Sequence, residues 1–363
     1  MAKQTARTIL ITGGAGFIGS NVAQRLLQDP STRVRIFDNL SRENVDVNLG
    51  WLHGLDGADR LEFIKGDVRN AAAVASAARN VTEIYHFAAQ VAVTTSVEDP
   101  RTDFETNVGG TLNVLEAARV SGRHPFVLFT STNKVYGSLP RVPVEVDRTH
   151  YRAAIPNFNG VRESEPLDFH SPYGCSKGAA DQYVHDYARI YELPTVVFRM
   201  SCIAGPRQFG TEDQGWVAHF LYSALEHRPI TVYGDGFQVR DVLHVYDLID
   251  AMSAVRNHLP HTAGQIYNLG GGMARSVSVV EMLEAIHRAT GVAPSLRYSD
   301  VRPGDQPLYI ADISKIGQHT GWQPRRSLDD TLEDIHEFWR SHRKLLHMQG
   351  GSATQRELVG EVA

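Results

Sequence analysis

Short apolar runs recur along the first two-thirds of the chain, each followed by a stretch with helical spacing. Strands are predicted at Thr8–Thr12, Arg33–Phe37, Leu61–Lys65, Glu83–Phe87, Phe126–Ser131 and Thr195–Met200. Most are near-continuous apolar runs, the pattern of strands buried on both faces. Helices are predicted at Gly16–Gln28, Ala71–Ala78, Arg101–Ser121 and Pro172–Tyr191. This alternation predicts an α/β fold, a doubly wound parallel sheet. After about Gly205 the pattern loosens. Helices are predicted at Gly215–His227, Val245–Asn257, Val277–Thr290 and Leu328–His342, separated by short strands such as Ile230–Tyr233 and Gln265–Leu269. The expected organisation is a first domain over 1–204 and a smaller C-terminal substrate-binding lobe over 205–348, from which the chain returns to the first domain. A Pro-, Arg- and Glu-rich insert at 138–170 has weak periodicity; so long a loop is functional or disordered. A disordered tail is predicted over 349–363.

The first strand runs into "TGGAGFIG" and a helix opens at once. Gly13 allows the tight turn, Gly16 lets backbone approach a pyrophosphate, and Gly19 lets helix and strand pack closely. The helix N-terminus then offers N–H groups and partial positive charge to phosphates. This makes the sheet one of the Rossmann type. Asp38 closes the second strand about twenty residues on, where a carboxylate accepts from a ribose 2′-OH and repels a 2′-phosphate. NAD is the cofactor this predicts; Arg42, close behind, weakens the preference over NADP. Asp67 follows the third strand, at the expected adenine position, and Ala88 and Ala89 leave room at the end of the fourth.

"SPYGCSKGAADQYVHDYARIY" places Tyr173 and Lys177 four residues apart, on one helix face. The fifth strand delivers Thr132 to the carboxyl edge of the sheet, where such folds bind ligands. An ammonium beside the phenol favours phenolate. Phenolate takes the proton of a sugar hydroxyl that Thr132 holds in line. The expectation is therefore a redox site with Tyr173 as base and Lys177 kept close to it.

Composition narrows the field. Formal net charge is −5 and no basic run stands out, which argues against nucleic acid or an anionic membrane as partner. Cys175 and Cys202, the two cysteines, have no metal spacing, and the sixteen histidines are scattered, so no metal site is expected. Cys175 is expected to be a small packed residue. Neither a signal peptide nor a membrane span is visible, and a cytoplasmic protein is expected.

The segments TGGAGFIG, FDN, GDV, FAAQ, NVGGT, STNKVYG, YGCSK and VRDVLHVYDL together resemble the extended short-chain dehydrogenases/reductases. The likeness to nucleotide-sugar epimerases and dehydratases spans about residues 7–345. It implies NAD contacts at Gly13, Gly16, Phe17, Ile18, Gly19, Asp38, Asn39, Asp67, Val68, Ala88, Ala89, Gln90, Asn107, Tyr173 and Lys177. It implies substrate contacts at Thr132, Asn133, Ser201, Arg207, Gln208, Arg240 and Arg302, the arginines gripping a nucleotide diphosphate. Family dehydratases carry Asp-Glu after the catalytic Thr; Asn133 and Lys134 stand here, which argues against a 4,6-dehydratase. STNKVYG, the insert and "CIAGPRQFGTEDQGWV" are most similar to CDP-tyvelose (CDP-paratose) 2-epimerases. That implies transient oxidation at C2 of a CDP-hexose with tightly held NAD. Two departures, Ala204 and Asn157 where the family has aromatics, imply an enlarged pocket and a different sugar. A homodimer through the Arg101–Ser121 and Pro172–Tyr191 helices is a further implication. The alternatives are a UDP- or GDP-sugar 4-epimerase, a net oxidoreductase and a non-catalytic nucleotide-binding regulator.

Overall fold

The computed structural model describes residues 7–302 and 305–347, and the expected tail lies outside them. The first half runs β1 (Arg7–Thr12), α1 (Phe17–Leu27), β2 (Thr32–Asp38), α2 (Val45–His53), β3 (Leu61–Lys65), α3 (Ala71–Ala77), β4 (Glu83–His86), α4 (Val93–Glu98), α5 (Pro100–Phe104), a π-helical turn at Glu105–Gly109, α6 (Gly110–Val120) and β5 (Phe126–Thr132). A hairpin, β6 (Val144–Asp147) and β7 (His150–Ala153), leads to α7 (Ser171–Tyr191) and β8 (Thr195–Met200). The rest comprises β9 (Cys202–Ala204), α8 (Trp216–Leu225), β10 (Ile230–Tyr233), β11 (Val239–His244), α9 (Val245–Asn257), α10 (Leu259–Thr262), β12 (Gln265–Leu269), β13 (Ser276–Ser278), α11 (Val279–Thr290), β14 (Leu296–Ser299), β15 (Leu308–Tyr309), α12 (Ser314–Thr320) and α13 (Leu328–His347). Among the described residues no helix is long and apolar enough to cross a membrane.

Seven strands form one parallel sheet in the order β12-β8-β5-β4-β1-β2-β3. Period-2 alternation sends neighbouring side chains to opposite faces. Ile9, Ile11, Val34 and Ile36 pack with Val22 and Leu27 of α1 and with Leu248, Met252 and Val255 of α9. Leu10, Phe37, Ile84 and Phe129 pack on the other face with Val74, Val114, Leu115 and Val184 from α3, α6 and α7. Both faces are covered, which explains why the strands read as unbroken apolar runs.

β12 joins the main sheet beside β8 and α9 packs against that sheet, although pattern alone left both elements in the second lobe. A parallel edge strand needs a long crossover connection, and much of the second lobe is threaded into this one. The 138–170 insert is an ordered connection. Tyr151 N donates to Phe237 O (2.9 Å), Val161 N to Ile310 O (2.7 Å) and Asp312 N to Val161 O (2.9 Å). Glu163 Oε1 accepts from Asn268 N (2.8 Å). Such scattered anchors need no periodic apolar pattern, so periodicity did not reveal them.

Candidate active site

At the carboxyl edge of the sheet, β1 ends and Gly13 turns the chain with φ +69°. A Cβ there would lie 2.7 Å from Ala88 N, so both the conformation and the approach of the β4 end demand glycine. A Cβ on Gly19 would lie 2.4 Å from Gly13 O, which brings α1 down onto the turn. Gly16 differs, since only Gly13 O lies near it, at 3.2 Å. The first turn of α1 carries no acidic side chain and its cap makes no side-chain hydrogen bond. Its leading N–H groups and positive end are left to an anion. Asp38 accepts from Ala15 N (3.0 Å) and Leu40 N (2.8 Å), so it braces the glycine turn, while burial raises its pKa. Asn39 donates to Asp67 (3.0 Å). The Arg69 fork and this bond pull Asp67 to about 2. An open turn, an uncapped helix and a carboxylate at the end of β2 fit an adenine dinucleotide.

Val68 is buried, against the Cα side of Gly110. Asn107 spends its amide on the protein: Nδ2 lies 3.1 Å from Gln90 O, 3.1 Å from Asp103 Oδ1 and 3.0 Å from Ser176 Oγ, and Oδ1 accepts from Gln90 N at 2.9 Å. It ties the segment after β4, which carries Ala88, Ala89 and Gln90, to α7.

Thr132 ends β5 with its Oγ1 accepting from Lys134 N (3.2 Å). Ser171 takes φ +64°, an uncommon setting for a non-glycine residue, and turns the chain into α7. Tyr173 follows, its N–H on Ser96 Oγ (3.1 Å). Burial lifts the phenol to about 12; a hydrogen bond with Thr132 and the charge of Arg42 pull the other way, and Asp103 adds to the rise. Lys177 is 3% exposed, donates to Thr130 O (2.7 Å) and lies 4.1 Å from the Phe129 ring centroid. Burial drags it to about 7 against Asp181 and Asp103. This corrects one expectation. The ammonium is committed to a β5 carbonyl, Thr130 O, rather than to the phenol. A buried amine takes whatever acceptor it reaches, and the end of β5 supplies one.

Asn133 donates to Gln306 Oε1 (3.1 Å). Arg240 Nη2 and Lys134 Nζ lie 2.6 and 3.6 Å from one oxygen of Asp305. Burial pushes that carboxyl up, yet Arg240 and Lys134 outweigh it and hold it below its ordinary value. Asp305 N in turn donates to Arg302 O (3.1 Å). Arg302 lies 3.9 Å from the Tyr233 ring centroid and 3.4 Å from both Glu212 Oε1 and Asp213 Oδ1. Arg240 is thus paired with Asp305, while the Arg302 guanidinium is held by Tyr233, Glu212 and Asp213. Arg207 lies elsewhere, its guanidinium 3.2 Å from the Trp51 ring centroid and 5.5 Å from that of Phe338. Burial lowers its pKa to about 10. Gln208 is buried, with Nε2 on Ile203 O (3.1 Å). Ser201 donates to Asp241 O (3.0 Å) and to the Asp241 carboxylate.

Ala204 is fully buried and belongs to the same core cluster as Val217, Ala218 and Leu221. One further correction concerns a single residue. Cys175 is exposed. Sequence reasoning missed Asp305 and Asp241. Asp241 is fully buried and accepts from Gly272 N (3.0 Å) and Ala311 N (3.2 Å), while burial lifts it to about 6. Their signal was a carboxylate beside each arginine, in "VRD" and "RPGD".

Known proteins resemble this chain in sequence and fold. CDP-paratose 2-epimerase of Salmonella typhi is 43% identical over 92% of this chain and 99% of its own. DesIV of Streptomyces venezuelae, a dTDP-glucose 4,6-dehydratase solved with NAD, matches with a TM-score of 0.79 at 30% identity, over 93% of this chain and 98% of that one. UDP-glucuronic acid 4-epimerase of Bacillus cereus, solved with UDP-glucuronic acid and NAD, matches with a TM-score of 0.78 at 27% identity, over 92% and 99%. Residues 10–335 match the model of the GDP-mannose 4,6 dehydratase family, and the chain belongs to that family of extended short-chain dehydrogenases/reductases.

Proposed function

We propose that this chain epimerises a CDP-hexose at C2, through transient oxidation to the 2-keto sugar and reduction from the other face. It is an isomerase, an NAD-dependent nucleotide-sugar epimerase. The observation that carries C2 of a CDP-hexose is the 43% identity to a CDP-paratose 2-epimerase along nearly its full length. The catalytic strand end agrees. An acid-assisted loss of water needs a carboxyl group after Thr132; the amide of Asn133 cannot supply the proton, and Lys134 is drawn to Asp305.

When bound, NAD supplies reversible two-electron acceptance at the sugar carbon. The chain's own residues do the rest. Tyr173 takes the proton from the reacting hydroxyl and later gives it back, so the cycle is balanced. Thr132, at the end of β5, orients that hydroxyl. Lys177 adds positive charge beneath the site. Arg240 and Arg302 grip the diphosphate, for which a planar guanidinium fork is suited. Arg240→Ala is expected to raise KM about tenfold to a hundredfold, the range for a lost charge-assisted hydrogen bond; an unchanged KM removes Arg240 from the clamp. A cytoplasmic homodimer belongs to the same proposal. Val97, Phe104, Val120 and Ile190 are exposed apolar side chains on α4 to α7, a face suited to a second copy.

The test is incubation of NAD-loaded protein with CDP-, UDP-, GDP- and dTDP-hexoses in deuterated water, read by NMR. Inversion at C2 of a CDP-hexose without solvent deuterium at that carbon is the expected result. Inversion at C4 of a UDP- or GDP-sugar replaces the reading with a 4-epimerase. Accumulation of reduced cofactor indicates a net oxidoreductase.

A further inference from the structure

An epimerase must return electrons to the sugar they came from. Cofactor lost in mid-cycle would strand the keto sugar, so something must keep the dinucleotide in place. The 206–214 segment, which enters the second lobe, is tied to the glycine-turn side of the first domain at three points. Asn21 of α1 donates to Pro206 O (3.1 Å). Asn48 of α2 lies within hydrogen-bond distance of both Ala15 O in the glycine turn (3.2 Å) and Arg207 O (3.3 Å). Arg42, just after β2, donates to Gln214 Oε1 at 2.7 Å.

The third tie differs in kind. The first two use fully buried amides and hold the base of the segment. The third joins two side chains, Arg42 just after β2 and Gln214 in the segment that enters the second lobe. Gln214 is presented by a tight turn, in which Thr211 N donates to Gln214 O (2.8 Å) and Gln214 N to Thr211 O (3.2 Å). Gly215 follows at φ +81° and lets the chain enter α8. The Arg42 charge lies within electrostatic reach of both Asp38 and Tyr173. Asp38 marks the ribose end of the dinucleotide track and Tyr173 the reacting end. Arg42 stands four residues after Asp38, so its tie to Gln214 starts beside the ribose end of the expected track, on the side where an anionic pyrophosphate would attract a cation.

We propose that Arg42 and Gln214 form a clasp that closes the second lobe over the dinucleotide groove and retains NAD through turnover. The proposal rests on the epimerase reading above. Arg42 serves as a positioning residue on the cofactor side, and Gln214 acts on the cofactor solely through Arg42.

The test is retention of NAD. Wild-type protein, Gln214→Ala and Arg42→Ala are loaded with NAD, dialysed, and the remaining NAD is released by acid and quantified over time. Melting temperature is followed in parallel. Gln214→Ala is expected to lose NAD about tenfold faster than wild type, the effect of one hydrogen bond to a charged group, with an unchanged melting temperature. Arg42→Ala should lose it at least as fast. If Gln214→Ala holds NAD as long as wild type, the clasp is overturned, even if Arg42→Ala leaks. A wild-type chain that takes up no NAD overturns the epimerase reading, and the clasp with it; loaded wild type beside an unaffected Gln214→Ala sinks the clasp alone.

Discussion

Tyr173→Phe is expected to lower kcat by about 10²–10⁴-fold, the usual worth of a positioned acid-base group, while bound NAD and the unfolding midpoint stay as they were. The ring remains, so the packing at the head of α7 is kept. What disappears is the phenol hydroxyl that is to take the sugar's proton. The pH dependence is part of the expectation. Without ligands the phenol sits near 12 and Lys177 near 7, so phenolate is scarce at neutral pH. Bound cofactor and substrate must lower the phenol's pKa, and the rate should climb with pH along a limb that Tyr173→Phe removes. Lys177 leaves a second signature. Its folded pKa lies below its unfolded one, so the folded chain binds fewer protons between about 7 and the ordinary lysine value. Stability should therefore rise with pH through that window, and Lys177→Met should abolish the slope. A Tyr173→Phe enzyme with near-normal turnover would remove the phenol from the chemistry.

Asp181→Ala is expected to cost about 3–5 kcal/mol of stability, measured by denaturant unfolding. Asp181 and Arg199 are 0% and 3% exposed in their side chains. Nε and Nη2 of Arg199 each lie 2.9 Å from a carboxylate oxygen of Asp181. Nη1 donates to Tyr136 Oη (3.0 Å), which donates to Asn268 Oδ1 (2.7 Å). Removing the carboxylate strands a buried guanidinium in the middle of this network, and that desolvated charge dominates the loss. Replacing both partners, Asp181→Leu with Arg199→Met, should recover much of the stability, since no buried charge is then left unpaired. Activity should fall with Asp181→Ala too: Asp181 raises the Lys177 pKa, so its loss leaves the amine less charged. An unfolding midpoint equal to wild type would contradict the account.

The alternation of β1 to β5 with their helices was legible because strands buried on both faces write their burial into composition. The glycine turn was legible for a different reason: Gly13 and Gly19 are demanded by contacts of 2.7 and 2.4 Å that no side chain could fit. Spacing placed Tyr173 and Lys177 on one face, but it could not say which acceptor a four-carbon stem would find, and Thr130 O took the amine. Asp181–Arg199 was invisible for a related reason. The two lie eighteen residues apart on α7 and β8, and nothing in linear order says that a helix carboxylate and a strand guanidinium are buried together. Gln265–Leu269 reads as any short strand; only the register beside β8 assigns it to the main sheet.

The insert runs from the end of β5 to the head of α7, so Thr132 and Tyr173 stand at its two ends. Between them it is stitched to β11's neighbours and to β12 through Tyr151, Val161 and Glu163. One anchor, Glu163, meets β12 of the main sheet, and the others lie beside β11 and β15, so the connection that joins the two side chains is also a seam between the sheet and the far lobe.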